Sequence, residues 1–198
     1  MTPFTPTQKK LLVIFALFFI PLFIATVWYG VMPAKLRPQT TTNNGQLIEP
    51  PRPLEAFETK TLSGEPYTVA QLETVWTLVH LLDAPCDADC SKSLYETRQI
   101  RIALGKDIDR VQRVIVVENA ELAQSESKMW ASHPDMSVVI ASEHGLGQQI
   151  QAQVEQHAPN TVYLVDPLGN IMMSFPPDLN PKLLMKDLRK LLRLSQIG

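Results

Sequence analysis

A single apolar segment near the N-terminus constrains this 198-residue chain more than any other feature. The run LLVIFALFFIPLFIATVWYGVM, from Leu11 to Met32, is 22 residues long and contains no charge. About 20 apolar residues let a helix cross a bilayer, whereas the apolar part of a secretory signal spans about 7–15 residues. No small-residue cleavage motif follows closely. We therefore predict an uncleaved transmembrane anchor at residues 11–34, after a short cytoplasmic N-terminus at residues 1–10.

The charges that flank this segment are nearly balanced. Lys9 and Lys10 precede it, and Lys35 and Arg37 follow it, so the positive-inside rule gives almost a tie. The free amino terminus favours an N-terminus inside the cell. We predict a single-pass protein of the bacterial inner membrane, with its C-terminal domain on the periplasmic side.

Charge also divides the rest of the chain. Residues 39–179 carry a net charge of −10, whereas residues 180–198 have five basic side chains and one acidic side chain. A strongly acidic body argues against nucleic acid as a partner. Such a body suits cations or a basic protein surface.

We predict a Pro-rich linker at residues 35–53 and a folded domain at residues 54–198. In this domain, apolar runs typical of buried strands alternate with segments whose apolar residues have helical spacing. The predicted elements are a hairpin (57–62 with 66–68), strands at 75–82, 111–117, 136–140, 161–165 and 171–175, and helices at 91–104, 121–130, 145–157 and 181–194. This order predicts an α/β fold of the thioredoxin-like type. A central mixed sheet, mainly parallel, is flanked by helices and preceded by a hairpin extension.

The two cysteines of the chain, Cys86 and Cys90, directly follow the first long buried strand. Their C-x-x-x-C spacing puts them on one helix face with Cα atoms about 6 Å apart, which permits a disulfide, a dithiol or a two-thiolate metal site. The neighbouring carboxylates of Asp83, Asp87 and Asp89 oppose a thiolate and favour a bound cation. We therefore predict copper binding in preference to a redox pair in which Cys86 attacks and Cys90 resolves.

One of the four histidines is a good candidate for a third ligand. His157 precedes the strand at 161–165, and in a thioredoxin-like sheet the loop before this strand packs against the cysteine turn. The alternative is a histidine that complements a helix dipole. His80 lies inside an apolar strand and is interpreted as a strand-face side chain, while His133 and His144 lie in predicted surface loops. The predicted copper ligands are Cys86, Cys90 and His157.

The stretch from His80 to Val117 resembles the Sco/SenC family of copper-handling proteins, which help to assemble cytochrome c oxidase. The shared features are a membrane anchor, a C-x-x-x-C after the first core strand, and a histidine shortly before a Tyr-Leu-(Ile/Val)-Asp-Pro strand. Tyr163 to Pro167 resembles that strand here. Two departures mark a divergent member. Asp87 and Ser91 occupy positions that are usually proline, and the family's histidine position is Ala158, one residue after His157.

The resemblance implies a membrane-anchored copper metallochaperone rather than an enzyme. Its cargo would be Cu(I) or Cu(II), and its partners the copper-bearing subunit of a respiratory oxidase and other assembly factors. One alternative is a membrane-anchored thiol–disulfide oxidoreductase that reduces partner cysteines. Another is a non-catalytic assembly module.

Overall fold

The computed structural model describes residues 5–31, 42–154, 157–178, 180–195 and 197, and the chain divides into two compact units, Met1–Thr42 and Asn43–Gly198. The described residues of the first unit form one helix, α1 (Pro6–Val31), whose large apolar side chains are exposed. Among the described residues it is the one helix long and apolar enough to cross a bilayer, a criterion that an N-terminal signal sequence also meets. Residues 32–41 of the predicted anchor and linker lie outside the described residues.

The second unit has the predicted thioredoxin-like fold: a six-stranded mixed sheet with helices on both faces, and a separate two-stranded hairpin. Its strands are β1 (Gln46–Pro53), β2 (Glu58–Lys60), β3 (Pro66–Thr68), β4 (Trp76–Leu82), β5 (Val111–Val117), β6 (Met136–Ile140), β7 (Val162–Val165) and β8 (Asn170–Phe175). Its helices are α2 (Ala88–Ala103), α3 (Ala120–Ser125), α4 (Ser127–Ser132), α5 (Leu146–Gln153) and α6 (Pro181–Leu194).

Strand β4 lies inside the large sheet, whose order is β1-β8-β7-β4-β5-β6. It pairs parallel with β5, and β5 pairs parallel with β6. On its other side β4 pairs antiparallel with β7, and the β7–β8 hairpin and the β1–β8 pair are antiparallel too. The sheet is mixed, as predicted, but it is not mainly parallel. A tight turn between β7 and β8 permits only antiparallel pairing.

The prediction of a linker at residues 35–53 is wrong for its second half. Gln46–Pro53 form β1, an edge strand paired with β8, with an irregular register between Leu47 and Arg52. Edge strands tolerate proline because the missing N–H need not face a partner. The strand was not evident from its composition because its partner lies near the other end of the chain.

Alternation of side chains along the strands divides the core into two layers. One face of the sheet carries Val79, Val114 and Tyr163 and is covered by α5 and the segment that contains the β2–β3 hairpin. The opposite face carries Leu78 and Leu82 and is covered by α2, α3, α4 and α6. The helix that contains Cys90 therefore belongs to the second layer.

A buried polar cluster holds α2 against the sheet. Arg113 of β5 has a fully buried side chain that donates to the Leu94 carbonyl at 2.6 Å and to Thr97 Oγ1 at 3.2 Å. Its guanidinium forms an ion pair with Asp135 at 3.2 Å. Thr97 Oγ1 also lies 3.1 Å from His80 Nε2. Burial, assisted by the charge of Arg113, lowers the pKa of His80 to about 3. His80 is therefore a neutral structural side chain.

The ion pair between Asp135 and the buried Arg113 predicts that neutralising Asp135 destabilises the domain. Asp135 also lies 3.5 Å from Arg98 and 3.9 Å from Arg101. We expect Asp135→Asn to lower the free energy of unfolding by about 3 kcal/mol, because it leaves the buried Arg113 charge without its counter-ion. The measurement is urea unfolding of residues 43–198, with the exposed Asp109→Asn as a control expected to change stability by less than about 0.5 kcal/mol. Equal effects of the two substitutions would contradict this role.

Candidate functional site

The cysteine pair lies between the carboxyl end of β4 and the first turn of α2. Strand β4 ends at Leu82, Cys86 lies in the following loop, and Cys90 is the third residue of the helix. The two sulfurs form a disulfide, with Cα atoms 5.3 Å apart. The helix begins before the predicted position, Ser91, so that Cys90 is helical. In α/β sheets, the carboxyl ends of the strands are where functional groups gather.

The two sulfurs differ in accessibility. Cys90 is 6% exposed and packs with Leu94 and Trp130 in the core beneath α2. Cys86 is only half-buried, at the edge of the same cluster. A thiolate or disulfide of another molecule can therefore approach Cys86 but not Cys90, because exchange requires direct access to the sulfur.

Asp87 is the N-cap of α2. Its carboxylate accepts the backbone N–H of Cys90 at 2.8 Å. Free N–H groups at a helix N-terminus lower the pKa of a nearby thiol. Here a carboxylate already occupies one of them and adds a negative charge. Asp83 and Asp89 are exposed on either side of it. This arrangement stabilises a thiolate at Cys86 less than an uncharged N-cap residue would.

Two other side chains contact Cys86, and sequence reasoning pointed to neither as a functional group. Oε1 of Glu126, between α3 and α4, accepts the backbone N–H of Cys86 at 3.1 Å. Oγ of Ser91 lies 3.8 Å from the sulfur of Cys86. The helical spacing after the pair is a signal that could have identified Ser91. Glu126 is 40 positions from Cys86, and no local pattern connects them.

His157 lies near the same edge of the sheet but is not joined to the cysteines. Val162 of β7 is paired with His80 of β4, so the loop before β7 lies beside the carboxyl end of β4. Nδ1 of His157 is 2.5 Å from Oη of Tyr163, and the two rings are stacked. Tyr163 belongs to the core layer on the face opposite α2. Within the described residues, no three His, Cys, Asp or Glu side chains form a group that could hold a metal ion.

The two histidines predicted in surface loops have different exposures. His144 is exposed, as expected for a surface loop. His133 was predicted on the surface as well, but it is 8% exposed. It directly follows α4, where its backbone N–H donates to the Trp130 carbonyl at 2.9 Å.

Comparison with known proteins identifies the class of this chain. Residues 76–195 match the family described as transmembrane-like, thioredoxin-like, C-terminal domain. Because this match covers more than half of the chain, the protein belongs to that family. No curated protein matches the sequence.

Solved structures show a more particular resemblance. Copper-bound ScoI from Bradyrhizobium japonicum has a TM-score of 0.55 and 19% identity, with 70% of this chain and 99% of that chain covered. Apo Sco1 from Thermus thermophilus has a TM-score of 0.59 and 19% identity, with 77% and 99% covered. The thioredoxin domain of a thiol-disulfide oxidoreductase from Bacteroides vulgatus has a TM-score of 0.54 and 16% identity, with 71% and 95% covered. The predicted resemblance to Sco/SenC proteins is confirmed at the level of the fold, and the low identity fits a divergent chain.

The position of Asp87 at the helix cap predicts that removing its charge makes the Cys86 thiol more reactive. In a Cys90→Ser background, Asp87→Asn keeps a capping oxygen but removes a negative charge near Cys86. We expect alkylation of Cys86 by iodoacetamide at pH 7 to become about three- to tenfold faster, because the thiolate is the reactive form and loss of the neighbouring negative charge stabilises it. Asp109→Asn in the same background is the control for a remote charge. A rate that does not differ from that control would show that Asp87 does not tune the thiol.

Proposed function

We propose that this protein is a membrane-anchored copper metallochaperone of the Sco type that assists assembly of the copper centre of a respiratory oxidase. The observation that carries this proposal is the paired Cys86 and Cys90 at the carboxyl end of β4, on a fold shared with copper-bound ScoI. Helix α1 would anchor the chain in the bacterial inner membrane, with the domain on the periplasmic side.

Copper is the cargo in this proposal, and the cysteine pair suits it in chemical terms. The Cα atoms of the disulfide-bonded pair are 5.3 Å apart. Reduction of this disulfide consumes two electrons and two protons and leaves two neighbouring thiols. Thiolates are soft ligands that select Cu(I), and each thiol releases its proton as it binds the metal. The carboxylates of Asp83, Asp87 and Asp89 stabilise a cation bound beside them.

His157 is the proposed third ligand. Its Nδ1 contacts the hydroxyl of Tyr163, and burial raises the pKa of that hydroxyl, which therefore stays protonated. A partner at one ring nitrogen orients the ring and leaves the other nitrogen, Nε2, for a metal. Ligation requires the loop before β7 to turn the ring towards α2, because Tyr163 lies on the opposite face of the sheet.

A Cu(I) competition titration of reduced residues 43–198 tests this proposal. We expect one tightly bound Cu(I) per chain, lost in Cys86→Ser/Cys90→Ser. His157→Ala should weaken binding at least about tenfold, because even residues that only orient a ligand contribute that much. The exposed His144→Ala is the matched control and should leave the affinity unchanged.

Two outcomes of the titration would contradict parts of the proposal. Weak or sub-stoichiometric binding by the unmodified domain would exclude the metallochaperone. Equal affinities of His157→Ala and His144→Ala, with tight binding retained, would exclude His157 as a ligand and leave a two-thiolate site.

A thiol–disulfide oxidoreductase is the second candidate, and the unequal exposure of the two sulfurs favours it. The thiolate of reduced Cys86 would attack a partner disulfide, form a mixed disulfide and release one partner thiolate. Cys90 would then attack the sulfur of Cys86, release the second partner thiolate and restore the Cys86–Cys90 disulfide. Two electrons thereby pass from this pair to the partner.

Trapping experiments test the second candidate. Cys90→Ser should accumulate a mixed disulfide at Cys86, whereas Cys86→Ser should not, because the remaining Cys90 is buried. The reduction potential should lie in the range of catalytic pairs, about −120 to −270 mV, rather than below about −300 mV. A more negative potential without trapped partners would exclude this function. Full oxidase assembly by the double serine variant would instead support a non-catalytic assembly module.

A further inference from the structure

Helix α6 is the basic surface of an otherwise acidic domain. Its single acidic side chain, Asp187, is 3% exposed and does not contribute to the surface. Residues 39–179 carry a net charge of −10, so positive charge is concentrated on this helix. The exposed basic side chains of α6, named here the α6 basic face, are Lys182, Lys186, Arg189 and Arg193.

Apolar side chains lie among these charges. The basic face borders a groove between α2 and α6 that Ile100, Ala103 and Met185 help to line. At the C-terminal end of the helix, Leu194 and Ile197 are 68% and 48% exposed. Cations interspersed with apolar groups are typical of helices that lie in the headgroup region of a membrane.

Asp187, the buried acidic residue of α6, binds the first residues of the domain. Its Oδ2 accepts the backbone N–H groups of Asn44 at 2.7 Å and Gly45 at 2.9 Å, and its Oδ1 accepts Asn44 Nδ2 at 2.6 Å. The domain therefore begins, at Asn44 and Gly45, in contact with α6. In sequence, residues 32–42 alone separate α1 from Asn43.

From these observations we propose that the α6 basic face binds the anionic lipid headgroups of the membrane that holds α1. The inference rests on the membrane anchoring in the proposed function. Attachment through α1 raises the effective concentration of headgroups near the domain, so a modest electrostatic affinity is sufficient. Because α2 is the neighbour of α6 and contains Cys90, this contact would also set the orientation in which the cysteine pair meets a partner.

The first test is co-sedimentation of residues 43–198, which contain the complete sheet and core, with vesicles. One set contains equimolar phosphatidylglycerol and phosphatidylcholine, and the other contains phosphatidylcholine alone. Residues 43–198 have fourteen basic and twenty acidic side chains, a net charge of −6, so binding to anionic vesicles requires a local basic surface. We expect binding to the anionic vesicles alone, and its loss at high salt.

Charge-matched variants identify the surface. Lys182→Gln/Lys186→Gln/Arg193→Gln should weaken binding at least about tenfold, because each cation near an anionic surface contributes to the affinity. Arg189 is left intact because it donates to the Ala103 carbonyl at 3.1 Å. The control, Lys60→Gln/Lys106→Gln/Lys128→Gln, removes equal charge from exposed sites elsewhere and should change binding less than about twofold. Circular dichroism verifies that both variants are folded.

Equal loss of vesicle binding in both variants would overturn the proposal. Absence of wild-type vesicle binding, together with equal lysine labelling of the full chain in anionic and neutral nanodiscs, would overturn it too. Loss of a protein partner from the α6 variant without any lipid binding would also overturn it, in favour of an acidic protein surface. Since none of these substitutions touches the cysteine pair, the Cu(I) titration distinguishes failure of this inference from failure of the proposed function.

A second test uses the full chain in nanodiscs of the same two lipid compositions. Acetylation of each lysine is followed by mass spectrometry. Lys182 and Lys186 should be labelled several-fold more slowly in the anionic discs, while Lys60, Lys106 and Lys128 should react equally in both. Equal labelling of Lys182 and Lys186 in the two discs would overturn the proposal.

Discussion

Strand β4 pairs with β5 on one side and with β7 on the other, and its side chains are buried on both faces of the sheet. Parallel pairing with β5 requires a crossover, which contains α2, so the loop with Cys86 must leave β4 at its carboxyl end. Antiparallel pairing with β7 brings the loop with His157 to the same edge. The positions of both candidate ligand groups therefore depend on this one strand.

The contacts that hold these two groups in place belong to opposite faces of the sheet. Helix α2, with Cys90, is fastened to one face by the buried Arg113 and by its apolar contacts. His157 is held by Tyr163, whose ring packs in the layer on the other face. Disulfide chemistry at the cysteines needs no rearrangement, whereas a site with all three ligands needs the loop before β7 to move.

Much of this arrangement could be predicted from local patterns. The apolar runs from Val111 to Val117 and from Met136 to Ile140 are strands with the predicted bounds, because buried strands need continuous apolar sequence. Strand β1 was missed because its proline-rich sequence gains its strand geometry from pairing with β8. Glu126 was missed because its contact with Cys86 joins distant parts of the chain. The early start of α2 follows from the cap at Asp87, a residue interpreted from the sequence as a charge and as a departure from the family's proline, but not as a cap.

The sequence by itself determined that an apolar helix precedes an α/β domain of the thioredoxin-like type, and that two cysteines follow its first long buried strand. These features depend on composition, periodicity and short spacings, all of which are properties of residues close together in the sequence. Tertiary structure alone decided that Cys90 is buried while Cys86 is accessible, that His157 contacts Tyr163, and that Asp187 joins the beginning of the domain to α6. Each of these depends on strand pairing and on which face of the sheet a side chain meets, and both are set by contacts between residues far apart in the chain.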